Sequence, residues 1–237
     1  MPLVAVAAII FLAILTQTVS GFGFGLVSMA LLPAVLEMRL ATPFVSLIAV
    51  CAEALLLLRY RHALNLRAVL RLSLASLVGI PLGIVALDWV NNSLGLKLLG
   101  ALILGYSLYA LLNLKLPQIE NPRWAYGFGF LSGILSGLYN SGGPPVVIYG
   151  TCRRWSPDEF RGNLQGFFIL NSVIVIGGHA LRQHFTADVL QYVAVSLPVL
   201  LLGVGIGSAL AGWINPATFR RVVFVLLLVL GARLLLS

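Results

Sequence analysis

Charge is scarce in this sequence: Asp, Glu, Lys and Arg make up 9% of its 237 residues, where a soluble chain carries about 25%. So little charge cannot dress a water-facing surface, which excludes a soluble domain and a disordered chain alike. Cysteine is nearly absent. Cys51 and Cys152 sit in apolar stretches without metal-ligand spacing, so they read as small core residues and exclude a disulfide-stapled scaffold. The net charge is +8, yet the bases are scattered among the loops, with no dense patch and no base-stacking motif, so nucleic acid is not an expected partner. His62, His179 and His184 fall near the ends of apolar segments with no metal partner at ligand spacing, so neither a metal nor a cofactor is expected. No nucleophile–base pair can be read inside the apolar segments, and the chain is not expected to be an enzyme. Met1-Pro2-Leu3 lacks the basic start of a cleaved signal, so the first apolar stretch is expected to remain in the protein.

What fills the chain instead is apolar: 60% of its residues are hydrophobic, against about 45–50% in soluble domains. Ten apolar segments stand between polar punctuation, roughly 2–19, 22–36, 43–58, 68–87, 94–114, 124–139, 144–152, 163–180, 188–212 and 219–236. Inside lipid every backbone polar group must be satisfied within the segment, so these are helices. The fold class is an all-α polytopic membrane protein. The second and seventh segments are short for a crossing, and each follows a glycine-rich break: Ser20-Gly21-Phe22-Gly23-Phe24-Gly25 and Ser141-Gly142-Gly143-Pro144-Pro145. Whether they cross or re-enter stays open. Trp89, Trp124, Trp155 and Trp213 fall near segment ends, where an interfacial belt is expected.

One polar linker, residues 115–123, divides the chain into 1–114 and 124–237. Gly79, Gly83, Trp89 and Asn91 recur with equal spacings as Gly203, Gly207, Trp213 and Asn215, which predicts two repeats of five segments. An odd number of segments inverts the second repeat. If the loop carrying Arg59, Arg61, Arg67 and Arg71 is cytoplasmic, alternation also places Lys115, Arg123, Arg153, Arg154, Arg161, Arg220 and Arg221 inside. Only Arg39, Lys97, Arg182 and Arg233 are left outside, as the positive-inside rule requires. The expected location is the plasma (inner) membrane, multi-pass, with both termini on the non-cytoplasmic side.

Inverted repeats with broken helices point to a secondary transporter whose site lies near the bilayer midplane. Around Gly142 and Gly143, backbone N–H groups at a positive helix end form an anion nest with no side chain in the way. Asn140 and Ser141 precede it, and Pro144 marks the helix start. Arg153 and Arg154 at the far end are expected to complement the helix dipole. The first-half counterpart offers Gln17, Ser20, Gly21 and Gly23. The bland alternative is close packing of helices, which fits Gly79/Gly83, Gly203/Gly207 and the Gly129-Gly133-Gly137 ladder, all of small-xxx-small form. Glu53 is the acid deep in an apolar segment. Charge there costs about 2.5–3.5 kcal/mol, and its helical neighbours Ala49, Val50, Leu56 and Leu57 cannot pair it. A structural hydrogen bond and proton coupling both fit. Arg161 is either an orientation anchor or an anion-gathering residue, and Asn171 lies further along the same segment.

With these residues, the sequence resembles the TauE/SafE family of membrane exporters over essentially its whole length. The carriers are Ser20-Gly21-Phe22-Gly23-Phe24-Gly25-Leu26-Val27 before Pro33, and Gly129, Gly133 and Gly137 leading to Ser141-Gly142-Gly143-Pro144. The family's three consecutive glycines are altered: Ser141 takes the first place, and the first half alternates Gly with Phe. The resemblance implies transport of a small sulfur-containing oxyanion such as sulfite, sulfoacetate or thiosulfate, coupled to an ion gradient. The expected partners are that anion and the lipid bilayer, with protons and a homodimer as further expectations. An anion channel on the same scaffold and a subunit that needs a partner for transport are the alternatives.

Overall fold

The computed structural model describes residues 2–114, 116–211 and 213–236. The side of the membrane assigned to Lys115 therefore lies outside the described residues. Ten α-helices occur among the described residues: α1 (Pro2–Ser20), α2 (Phe24–Leu31), α3 (Met38–Tyr60), α4 (Leu66–Trp89), α5 (Asn92–Leu112), α6 (Trp124–Tyr139), α7 (Gly143–Cys152), α8 (Pro157–Leu181), α9 (Ala187–Leu210) and α10 (Pro216–Leu236). Short 3₁₀ turns follow α2 and α3, and no strand occurs among the described residues. Among the described residues, six helices are long and apolar enough to span a bilayer. The chain is a multi-pass membrane protein.

Local chemistry starts these helices where the sequence changes character. The side chains of Asn65, Asn91, Ser156, Thr186 and Asn215 each accept a hydrogen bond from a first-turn amide of α4, α5, α8, α9 and α10, satisfying donors that have no partner within the helix. Helix α8 begins six residues before its apolar run, because Ser156-Pro157-Asp158-Glu159 is a complete start signal: cap, proline and two acids on the positive end. The 8 residues of α2 and 10 of α7, at 1.5 Å per residue, span about half of a 30 Å hydrocarbon core.

Helix pairing follows a rule. Helix α4 packs on α6 and α9 on α1; α3 packs on α8 and α5 on α10; α8 also touches α4, and α3 touches α9. Each of these pairings maps onto another, or onto itself, when every helix is advanced by five. The α4–α6 seam is the tightest. A Cβ on Gly79, Gly83, Gly129 or Gly137 would overlap a carbonyl oxygen of the facing helix, and one on Gly133 would stand 2.8 Å from Ser76 Cα. The corresponding glycines of α9 meet side chains instead, Gly203 facing Ile14 and Gly207 facing Thr18. Backbone cannot move aside as a methyl can. Gly137→Ala is therefore expected to cost about 1–3 kcal/mol or more of stability, the range for overpacked cores. Gly203→Ala should cost less, and thermal unfolding of the purified protein in detergent would rank the two.

The loops gather at two ends. At one end Asn65 meets Asn163 and Glu159, Arg161 meets Tyr60, and Arg153 and Arg154 bond the linker. At the other, Arg182 and His184 pair with Asp88, whose carbonyl also accepts from Arg39. Arg153 donates to the carbonyls of Ile119 and Glu120, and Arg154 to that of Leu116, so these guanidinium groups at the C-terminal end of α7 also pin the linker. The Ile119 amide, 3.0 Å away, takes the terminal Cys152 carbonyl. Trp155 is no belt residue: it packs between Tyr149 and Phe160 over Gly150, while Trp89, Trp124 and Trp213 are exposed.

Candidate functional site

The two glycine-rich breaks are brought together. Between α1 and α2 the chain turns through Gly21 at φ 85° and Gly23 at φ 107°, and between α6 and α7 through Asn140 at φ 49°. These are left-handed conformations that glycine adopts freely and asparagine tolerates. The breaks touch at Gly25, where a Cβ would fall on the Asn140 carbonyl oxygen. Asn140 Nδ2 donates to the Thr42 carbonyl at 2.6 Å, so the second break is tied to α3 of the first half. Ser132 on α6 donates to the Gly142 carbonyl.

Side-chain amides brace the first break. Gln17 accepts from the Phe24 amide at 3.1 Å through Oε1, and its Nε2 lies 3.4 Å from Gln165 Oε1. Gln165 in turn donates to the Gly21 carbonyl at 2.8 Å. One first-turn amide of α2 is thereby satisfied. The amides of Gly25 and Leu26 on α2, and of Gly142 and Gly143 at the start of α7, hydrogen-bond to no described residue. Such groups are costly to bury unless something answers them.

All four of these residues line one cavity of about 40 Å³, more than the ~10–15 Å³ that a single water needs. Its wall also includes Gln17, Gly23, Glu53, Ser136, Asn140, Ser141, Phe168, Asn171 and Ser172. Among the described residues, no Lys, Arg or His belongs to it. Two buried polar atoms there lack partners among the described residues: Glu53 Oε2 and Asn171 Nδ2. Asn171 is anchored at its other end, Ser76 donating to Asn171 Oδ1 at 2.6 Å, and Ser172 lines the same wall as Glu53. An acid from α3 and a carboxamide from α8 thus present open polar atoms to the space between the tips.

Of the residues singled out in the sequence, Gln17, Gly23, Asn140, Ser141, Gly142, Gly143, Asn171 and Glu53 meet at this cavity. Ser20, Gly21 and Arg161 stand outside its wall. The Ser20 hydroxyl lies 2.6 Å from the carbonyl oxygens of Thr16 and Phe22, and the Gly21 carbonyl is taken by Gln165. Arg161 stacks over Tyr60, its carbon centre 5.4 Å from the ring centroid, and its stem packs beside Gly21. Four wall residues gave no sequence signal: Ser136, Phe168, Ser172 and Val175. Ser136 lies among the ladder glycines of α6, and Ser172 follows Asn171, so only the packing reveals which face they share.

Residues 6–234 match the family model described as Sulfite exporter TauE/SafE. A protein of Cupriavidus necator named "Probable sulfite/organosulfonate exporter TauE" is 28% identical over 242 residues, covering 100% of this chain and 94% of that protein. No solved structure matches the chain.

Proposed function

Because the chain belongs to the TauE/SafE sulfite exporter family, we propose that it is a secondary transporter of a small sulfur-containing anion, of sulfite, thiosulfate or sulfonate type, bound between the two glycine tips. The observation that carries this reading is the set of unanswered donors on one cavity: the amides of Gly25, Leu26, Gly142 and Gly143 and Nδ2 of Asn171. Each is a donor, and an oxyanion is a cluster of acceptors. Two helix N-termini add their positive dipole ends, favourable to an anion by about 0.3–1 kcal/mol each and more when partly buried. With no cationic side chain in the wall, binding rests on neutral dipoles, which hold the anion without trapping it, as a carrier requires.

Glu53 is the coupling group in this mechanism. A carboxylate and a bound anion in one cavity repel, and a proton on Glu53 removes the repulsion, so anion and proton occupy the site together. The two five-helix halves, 1–114 and 124–237, are inverted repeats that rock about this site to give alternating access. The basic end faces the cytoplasm and both termini the opposite side.

The test is flux in proteoliposomes containing this protein alone. Sulfite, thiosulfate, sulfoacetate, sulfate and chloride are compared with and without an imposed pH gradient. Saturable, gradient-driven uptake of a sulfur oxyanion is expected. Non-saturating flux insensitive to pH would replace the carrier by a channel. No flux from folded protein would mean that a partner subunit is required.

A further inference from the structure

A second, larger cavity opens at the basic end. It measures about 280 Å³ and is bounded by the end of α5 (Tyr109, Asn113), the end of α7 (Thr151) and the start of α10 (Arg220, Arg221). Neither arginine has an acidic partner among the described residues. Two unpaired cations on one concave wall attract and concentrate anions. Since each water occupies about 30 Å³, the cavity has room for an oxyanion that keeps several waters.

The inner wall of this cavity is aromatic. Phe22, Tyr106 and Phe224 contact one another edge-on or tilted, with ring centroids 5.6–6.4 Å apart. Behind Phe22 and Phe224 lies a gap of only about 10 Å³, bordered by Ser20, Gly23, Leu26 and Arg220. That is at the lower limit for one water. Gly23 and Leu26 are in turn wall residues of the central cavity. The small gap therefore shares wall residues both with the wide basic chamber and with the polar space between the tips, and Phe22 and Phe224 border it on the chamber side. Phe22 stands between Gly21 and Gly23, both left-handed. A bulky ring flanked by two such glycines sits on a backbone that can swing it, as a hinge does.

Building on the transport reading above, we propose that the cavity of Arg220 and Arg221 is a loading vestibule for the transported anion, shut from the central site by a gate of Phe22 and Phe224. The anion arrives hydrated, is held by the two guanidinium groups, and enters when Phe22 moves aside. Closed, the rings exclude water as a hydrophobic constriction does. Lipid phosphate shares this chemistry, so the test separates the two sources.

In the full chain with Cys51→Ala and Cys152→Ala, Thr151→Cys places a thiol on the vestibule wall. Sulfoacetate is expected to slow its alkylation by N-ethylmaleimide by about tenfold at ten times the dissociation constant, by mass action. Arg220→Gln with Arg221→Gln should abolish that protection, whereas Gly143→Leu, which blocks the central cavity, should leave it intact. The readout needs no flux, so it stands apart from the transport test. Absence of protection, protection that survives both arginine changes, or protection given by phosphatidylglycerol vesicles but not by sulfoacetate would each overturn the vestibule. For the gate, a thiol introduced by Ser141→Cys should react at least about tenfold faster once Phe224→Ala opens the gap, since dehydrated apolar packing no longer bars it. An unchanged rate would overturn the gate.

Discussion

Gly143→Leu is expected to reduce anion flux at least about a hundredfold, the loss that removing roughly 2.8 kcal/mol of binding produces, while the protein unfolds at nearly its wild-type temperature. The two halves of that expectation come from different contacts. A Cβ on Gly143 would meet nothing nearer than Phe168 Cζ at 3.6 Å, an ordinary van der Waals contact, so the backbone need not move. The rest of the leucine must then occupy the cavity of about 40 Å³ and cover the amides of Gly142 and Gly143. Gly142 offers no such clean experiment. Its Cβ would overlap the Ser136 hydroxyl and stand 2.6 Å from the Ser132 carbonyl, so any side chain there would push α7 off α6, and lost transport could not be separated from lost folding. Flux and thermal unfolding measured on the same Gly143→Leu preparation check the prediction. Wild-type flux would remove the tips from the mechanism.

Glu53→Gln should abolish gradient-driven accumulation and leave exchange of anion for anion running. Each unit of pH supplies about 1.4 kcal/mol per proton moved, a tenfold accumulation, and a carboxamide has no proton to carry. Shape is nearly unchanged. Stability should hold or rise, because an ionisable group at membrane depth costs about 2.5–3.5 kcal/mol and Oε2 is buried without a partner. The measurement is uptake with and without a pH gradient, beside counterflow at equal pH. Accumulation that persists in Glu53→Gln would assign coupling to another group. Loss of counterflow as well would make Glu53 part of the anion's own binding surface.

Legibility of the site in the sequence depended on how each residue works. Backbone-based features were readable, since glycines clustered at 21–25 and Gly142-Gly143 before two prolines state where a helix stops and which amides are left over. Glu53 was readable because charge inside an apolar run needs a reason. Arg161 was not: its sequence position permits both an anchor and an anion site, and nothing local shows that its side chain reaches both the Tyr60 ring and Gly21 of the first break. Arg153 and Arg154 were readable as cations at the end of α7, but their bonds to the linker carbonyls were not, because nothing local shows that residues 116–120 fold back to this point. Trp155 likewise has the composition of an interfacial residue and the contacts of a core residue.

The sequence by itself determined the membrane, the helices and the breaks. Lipid admits one way of satisfying a backbone, so apolar runs become helices, and glycine and proline end them wherever they cluster. Tertiary structure decided which breaks meet, which arginines stay unpaired, and that Phe22 stands between two cavities. Those outcomes depend on pairs of residues far apart in the chain, such as Gly25 with Asn140 and Phe22 with Phe224. Local pattern is blind to them because each is fixed by how whole helices pack, the glycine seam of α4 and α6 drawing two backbones into contact and setting the place of the rest.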